Sequence, residues 1–304
     1  MSDQLQGWVR KLPNGRNISA LGFGCSSLWA KPDYDEKRAQ DVLEACYSNG
    51  INHFDTSPSY GVGTGERRLS EFVARVGRDN LIISTKVGSN LIDGKVIRGF
   101  DRALMERSFH DSLKRLGLER VDILYLHGPD KPDLTDELYR FFDDLKTKGL
   151  IDYSGMESID AGIFEKMDKT PLDTAMIHYN ISNYTTEQTI KRLTDAGKII
   201  VSATVFAQSK FDLRTFIPRD RGSLWYLLRM TKNDPLFWIK GPLLARRLRK
   251  FDRSPHQVAA GFVTGHPGIT SGLFGTSSAD HASANARAGH QPLTTKERLI
   301  IMGK

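Results

Sequence analysis

The feature that most constrains this chain is an alternation of strand-length apolar runs with helical periodicity, repeated eight times. The runs are Leu21–Gly24, Ile51–Asp55, Leu81–Lys86, Val121–His127, Ile151–Gly155, Thr174–Tyr179, Ile199–Val205 and Ser271–Gly275. Between them apolar residues return every three or four positions: Ala39-Val42-Leu43-Cys46, Leu104-Phe109-Leu113-Leu116, Leu134-Leu138-Phe141-Phe142-Leu145 and Ile190-Leu193. That spacing predicts helices with one buried face. Gly50, Gly117, Gly149 and Gly197 fall where those helices should stop. Eight βα units with buried strands predict an α/β fold of the (β/α)8 TIM-barrel kind. Ahead of them, Trp8–Leu12, the turn Pro13-Asn14-Gly15-Arg16 and Asn17–Ser19 predict an N-terminal β-hairpin, with Asn-Gly supplying positive φ angles. No linker or shift of composition divides residues 1–304, so a single domain is expected.

Several function classes are excluded early. No apolar run reaches the roughly 18–20 residues of a membrane span, and Met-Ser-Asp-Gln-Leu-Gln is no signal peptide. Stable membrane insertion is therefore not expected. Two cysteines, Cys25 and Cys46, make neither a disulfide framework nor a metal cluster, which fits a reduced, cytoplasmic compartment. The net charge of +7 is local: residues 219–253 hold ten Lys/Arg against three Asp, leaving 33 charges of each sign elsewhere. No nucleic-acid-binding module accompanies that patch, so a nucleic-acid partner is not expected. Its basic residues are mixed with Trp225, Tyr226, Phe237, Trp238 and Phe251, which suits an amphipathic helix with a solvated basic face. Attraction of an acidic substrate or a cofactor phosphate, and contact with an anionic membrane surface or a protein, are the alternatives.

In such a barrel the reactive groups stand at the C-terminal ends of the strands. The second run ends in Asp55 with Tyr60 in its loop, the third in Lys86, the fourth in His127. Each has a plain structural explanation: a turn-forming Asp, a packed Tyr, a salt-bridged Lys, a hydrogen-bonded His. Convergence at successive strand ends favours chemistry instead. A phenol titrates near pH 10, and a neighbouring ammonium favours its phenolate and lowers that value. Asp55 would hold Lys86 and offset its desolvation, while His127 would orient a substrate carbonyl. A tyrosine that protonates a carbonyl oxygen requires a separate hydride donor, hence a nicotinamide cofactor.

Along nearly its whole length the sequence resembles the aldo-keto reductases. The matching stretches are Leu21-Gly22-Phe23-Gly24, Gly50 through Tyr60, Gly65-Glu66, Ser84-Thr85-Lys86, Asp122 through His127, Ser254 through Ala260 and His266-Pro267-Gly268. The resemblance implies that Tyr60 is the general acid, tuned by Lys86 and Asp55, with His127 aiding orientation. It implies reduction of a small carbonyl substrate, a sugar or sugar derivative among the candidates, with NADP(H) in preference to NAD(H). Expected cofactor contacts are Gly24, Cys25, Asp55, Ser158, His178, Phe206, Gly275, Thr276, Ser277, His281 and Asn285. Three departures from the family pattern stand out. His281 replaces an arginine that reads the 2′-phosphate, so discrimination for NADP(H) should be weakened. Glu157-Ser158 and His178 replace the Ser-Asn pair and the Gln that grip the nicotinamide carboxamide. The seventh strand ends Thr204-Val205-Phe206-Ala207-Gln208, without Ser-Pro-Leu.

Two rival accounts remain. Gly22-Phe23-Gly24-Cys25-Ser26-Ser27 is a loose dinucleotide fingerprint, but no helical pattern begins directly after Gly24, and Asp55 comes late. A cofactor-binding sensor or regulatory protein of the same fold, with little turnover, is the second. The four strand-end residues disfavour it and the altered carboxamide residues favour it. Substrate selectivity is expected in loops around Trp29, in 128–132 and in 206–250.

Overall fold

Eight parallel strands close on themselves in the computed structural model, which describes residues 7–207, 217–218, 224, 227–228, 231–232 and 236–304. A short hairpin, β1 (Val9–Lys11) and β2 (Asn17–Ser19), leads into β3 (Leu21–Gly24), β4 (His53–Asp55) and β5 (Ile82–Val87). After β5 a second hairpin intervenes, β6 (Ser89–Ile92) and β7 (Lys95–Arg98). The barrel then continues with β8 (Val121–His127), β9 (Ile151–Ser158), β10 (Thr174–His178), β11 (Ile199–Ala203) and β12 (Ser271–Phe274). β12 pairs back onto β3 through Gly272↔Leu21, Leu273↔Gly22 and Phe274↔Phe23, which closes the ring.

The described helices are α1 (Glu36–Ser48), α2 (Thr64–Val76), α3 (Arg102–Leu116), α4 (Asp136–Thr147), α5 (Glu187–Asp195), α6 (Phe237–Leu248), α7 (Pro255–Thr264), α8 (Ala279–Gly289) and α9 (Thr295–Met302). Between β9 and β10 the crossover is a 3-10 segment, Ala161–Lys169. Most residues of the apolar stripes read from sequence are buried on these helices, such as Ala39, Val42, Leu43 and Cys46 on α1, while Leu104 is half-buried and Leu134 precedes α4. Among the described residues no helix is long and apolar enough to cross a membrane.

Inside the barrel, alternate strand residues face the axis. Ile82, Ile123, Tyr125, Tyr153, Met176, Ile199, Val201 and Leu273 fill it. Leu12 and Ile18 from the N-terminal hairpin join this cluster and plug the lower end. Burying each is worth about 1.5–3 kcal/mol. The plug is pinned by the Asn14 amide, which donates to the Tyr153 hydroxyl at 2.9 Å, and by an ion pair between Arg16 and the buried Asp122. Polar or reactive side chains are thereby left to the opposite end, where the strands finish.

The Gly22–Gly24 stretch is a barrel strand followed by a 3-10 turn, Ser27–Ala30, so it opens no dinucleotide-binding helix, in line with the sequence argument against that fingerprint. Other expectations need correction. In the first hairpin only Gly15 takes a positive φ, 84°; Asn14 does not. The β6–β7 hairpin was not anticipated, although its Asp93-Gly94 turn, with φ of 48° and 77°, is the sequence signal for one. Trp29 is only 1% exposed and donates its indole N–H to the Ala39 carbonyl at 3.0 Å. Its side chain is core, so any substrate contact of this loop falls to its neighbours.

In the basic segment, Arg247 donates to the Ile301 carbonyl at 3.1 Å and Arg253 pairs with Glu297 at 3.5 Å. Those two cations tie the helix layer to α9. Trp225, Tyr226, Arg219, Arg221, Arg229, Asp220, Asp234 and Gln208 lie outside the described residues, as do Met1 to Gln6.

Candidate active site

Strand period places the site. Residues two apart share a face, so His53 and Asp55 on β4, Ser84 and Lys86 on β5, Tyr125 and His127 on β8, Tyr153 and Glu157 on β9, and Met176 and His178 on β10 all turn toward the axis. The apolar members fill the barrel, and the polar members cap it.

At the centre the Lys86 ammonium bonds to one oxygen of Asp55. Its second partner is the Thr56 carbonyl at 3.0 Å. The other Asp55 oxygen accepts from the Ser84 hydroxyl at 2.7 Å. Both charged side chains are buried, 1% and 4% exposed, which water-free ions tolerate only when paired and hydrogen-bonded. Beneath them His53 faces Ser271 at 3.0 Å and Ser84 at 3.5 Å. Burial, with Lys86 adding to it, pushes the His53 pKa down to about 3, so this ring is neutral.

Tyr60 stands over the pair, with the Lys86 Nζ 5.0 Å from its ring centroid. A tight turn sets it there. The Tyr60 amide donates to the Ser57 carbonyl at 3.0 Å, and the Gly65 amide donates to the Tyr60 carbonyl at 3.2 Å. Gly61 follows with φ of +61°, and a Cβ at that position would lie 1.7 Å from the Ala30 carbonyl oxygen. The chain after the phenol therefore passes where only glycine fits, and α2 begins at Thr64.

His127 packs edge-on against Tyr60, ring centroids 5.8 Å apart and planes at 83°. Its Nδ1 lies 3.3 Å from the Ser57 hydroxyl and its Nε2 3.8 Å from Glu157 Oε2. The second Glu157 oxygen lies 3.2 Å from His178 Nε2. Register makes these neighbours, since His127 on β8 aligns with Glu157 on β9. Arg98, from the unanticipated hairpin, donates to the His127 carbonyl at 3.4 Å and bonds the Gly128 carbonyl, anchoring the loop that follows β8.

The electrostatics correct one expectation. Burial raises the Tyr60 pKa to about 12; Lys86 pulls it down, but Asp55 and Glu157 add to the rise. The phenol is thus protonated at neutral pH, because desolvation outweighs the ammonium. Lys86 itself is held above the ordinary lysine value: burial opposes the charge, yet Asp55 and Tyr60 overcome it. His127 is pushed down to about 4 by burial and by Lys86. Glu157 is shifted below the usual carboxylate value, since His178, Lys86 and His127 together outweigh its burial.

Of the residues expected to contact a cofactor, Gly24, Cys25 and Gly275 to Asn285 lie at the β3 and β12 ends, Asp55 ends β4, Phe206 follows β11, and Ser158 and His178 end β9 and β10. Gly24 and Gly275 face each other, and the Gly24 carbonyl would be 3.5 Å from a Cβ on Gly275. Cys25 is buried and its amide donates to the Asp55 carbonyl at 2.7 Å. Ser278 caps α8 by accepting from the His281 amide at 3.3 Å. Gly275, Thr276 and Ser277 run into this helix N-terminus, where free amides favour an anion. The Tyr34 hydroxyl bonds the Ser277 carbonyl, joining the β3 and β12 loops. His281 is exposed on the first turn of α8 and Asn285 is partly buried one turn later. Phe206 lies against Phe274 at 5.7 Å and His256 at 5.9 Å. The Ser158 hydroxyl accepts from the Asp160 amide at 3.1 Å, and His178 faces Glu157. Around Phe206 the backbone is unusual: Thr204 and Ala207 have φ of 58° and 47°, a conformation that costs non-glycine residues energy.

Sequence reasoning left Ser57, His53 and the Glu157 contacts unassigned. Their signal was the two-residue strand period, which puts 53 with 55 and aligns 127, 157 and 178 at three adjacent strand ends. Among the described residues no group of His, Cys, Asp and Glu is arranged to hold a metal ion.

Comparison with known proteins gives a consistent picture. The sequence model of the Aldo/keto reductase family matches residues 20–302. The chain is 25% identical over 290 residues to the uncharacterized oxidoreductase YqkF of Bacillus subtilis (strain 168), covering 93% of this chain and 91% of that protein. It is 28% identical over 310 residues to L-glyceraldehyde 3-phosphate reductase of Escherichia coli (strain K12), covering 93% and 88%. Among solved structures, the holo form of an aldo-keto reductase from Bacillus halodurans superposes with a TM-score of 0.80 at 26% identity, covering 98% of this chain and 96% of that one.

Proposed function

The chain belongs to the aldo/keto reductase family, and we propose on that premise that it reduces an aldehyde or ketone to the alcohol with NAD(P)H, Tyr60 acting as general acid. The observation that carries this proposal is the buried Asp55–Lys86 ion pair set directly beneath a protonated phenol at the barrel mouth. A structural salt bridge needs no phenol above it, and a packed tyrosine needs no buried ammonium beside it.

When bound, the nicotinamide cofactor supplies the hydride. Tyr60 then gives its proton to the carbonyl oxygen as negative charge develops there. The phenolate left behind would be unstable at this burial without Lys86, whose ammonium is already in place and needs no reorganisation. Asp55 fixes that ammonium and Ser84 fixes Asp55. His127, neutral, contributes a single ring N–H to the substrate side of the mouth.

The chain's donor set suits the cofactor at its phosphate end, where Gly275, Thr276, Ser277 and the α8 amides would meet the pyrophosphate. Phe206 would cover one face, with Gly24 and Cys25 beneath, Ser158 and His178 toward the carboxamide, and Asn285 toward the adenine. His281 is the residue nearest the 2′-phosphate position by analogy with the family. An imidazole lacks the planar fork of arginine. Fluorescence titration with NADPH and NADH is expected to give a modest preference for NADPH, and His281→Arg is expected to enlarge it about tenfold. An unchanged ratio would show that the 2′-phosphate is met elsewhere.

The direct test is NADPH and NADH oxidation against a panel of aldehydes and ketones. Turnover at least a hundredfold above the uncatalysed rate is expected for some member. Tight cofactor binding with no turnover of any carbonyl would instead favour a sensor or regulatory role.

A further inference from the structure

We propose that Glu157 and His127 form a hydroxyl-reading subsite that selects α-hydroxy carbonyl substrates, those carrying an alcohol on the carbon next to the reacting carbonyl. The inference deepens the carbonyl-reduction proposal and rests on it. Glu157 Oε2 and His127 Nε2 are 3.8 Å apart. That is too long for a hydrogen bond. It is the span bridged by one oxygen about 2.8 Å from each, a normal hydrogen-bond length. A hydroxyl is the group that fits, because it accepts from one neighbour and donates to the other.

The proton inventory agrees. Glu157 is ionised and offers only acceptors. Its other oxygen is taken by His178 at 3.2 Å, which fixes the carboxylate in place. His127 is neutral and carries one ring proton. A carboxylate opposite Nε2 favours that proton on Nε2, with Nδ1 accepting from Ser57 at 3.3 Å. The mouth thus presents a donor and an anionic acceptor side by side, both at strand ends adjacent in register. Tyr60 packs against the same imidazole. A carbonyl oxygen at the phenol and a hydroxyl on the next carbon would meet the two partners together. An alkyl group in the hydroxyl's place leaves both polar groups unmatched, and a carboxylate there is repelled by Glu157.

The test compares glycolaldehyde with propanal, which exchange a hydroxyl for a methyl at the same position. The parent protein is expected to favour glycolaldehyde in kcat/KM, and Glu157→Ala to lower that preference about tenfold, the loss expected for one charge-assisted hydrogen bond. Because Glu157 also faces His178 and acts on Tyr60 and Lys86, absolute rates on both substrates are expected to fall, and the readout is the ratio of the two kcat/KM values. An equal effect on both substrates, or an unchanged ratio, overturns the subsite.

A second readout needs no turnover. Histidine ring nitrogens are followed by NMR in the cofactor-loaded protein, with His127 assigned by its loss in His127→Asn. 1,2-Propanediol is expected to shift the His127 signals at a concentration where 1-propanol does not. Equal shifts, or none, overturn the proposal. If the parent reduces no aldehyde, the reduction proposal fails, and the diol titration alone decides the subsite.

Discussion

Tyr60→Phe is expected to lower carbonyl reduction by a factor on the order of a hundred to ten thousand, the usual contribution of a positioned general acid, while NADPH binding by fluorescence titration stays within about twofold. The substitution removes one oxygen. It leaves the ring that packs on His127 and the Asp55–Lys86 pair beneath it. Nothing in the expected cofactor cradle, from Gly275 to Asn285, depends on that hydroxyl. The pKa of about 12 makes the assignment sharper, since a group so reluctant to ionise is an acid poised to protonate an oxyanion, not a base waiting at neutral pH. Reduction by the variant at the parent rate would transfer the proton-donor role away from Tyr60.

Lys86→Met should damage stability and activity together. With the ammonium gone, Asp55 would be a buried carboxylate left with the Ser84 hydroxyl, and breaking a buried pair on one side costs about 3–5 kcal/mol. Urea denaturation is expected to show that loss as a lower midpoint with an unchanged slope. The double variant Asp55→Asn, Lys86→Met removes both charges, and much of the lost stability should return, because no uncompensated ion is left. Activity should not return, since the phenolate would still lack its cation. Recovery of activity with stability in the double variant would mean that the pair is structural only.

These two expectations depend on different layers of the molecule. The barrel was legible because period-two runs and three-to-four-residue stripes repeat with little interruption, and every expected strand overlaps an observed one. Asp55, Lys86 and His127 followed from the rule that strands of such a barrel finish at the same face. Where strand ends slipped, as at His53–Asp55 for Ile51–Asp55 or Ile199–Ala203 for Ile199–Val205, the cause was local. Terminal residues such as Thr204 leave extended geometry for a positive φ.

Trp29 shows the opposite case. An aromatic residue in a strand-end loop suggests a pocket wall, yet the 3-10 turn at Ser27–Ala30 folds it inward, and it packs edge-on against Phe23 at 5.5 Å. Composition carries no information about that direction. The β6–β7 hairpin was missed for another reason. Its strands are only four residues long, with the apolar residues side by side in each, and β7 is wholly exposed, so the apolar periodicity that revealed the barrel is absent there.

The sequence by itself determined the architecture, the family and the placement of Asp55, Lys86 and His127 at the ends of successive strands, because all three are written in local spacing and identity. Only the tertiary structure decided their electrostatic character. Whether Lys86 lowers the Tyr60 pKa or burial raises it depends on how much water the closed mouth excludes, and that is a property of the packed barrel. The same holds for Glu157, which the chain order separates from His127 by a whole βα unit. Register alone brings them to 3.8 Å. Electrostatic energy depends on distance and dielectric, and both are set in three dimensions.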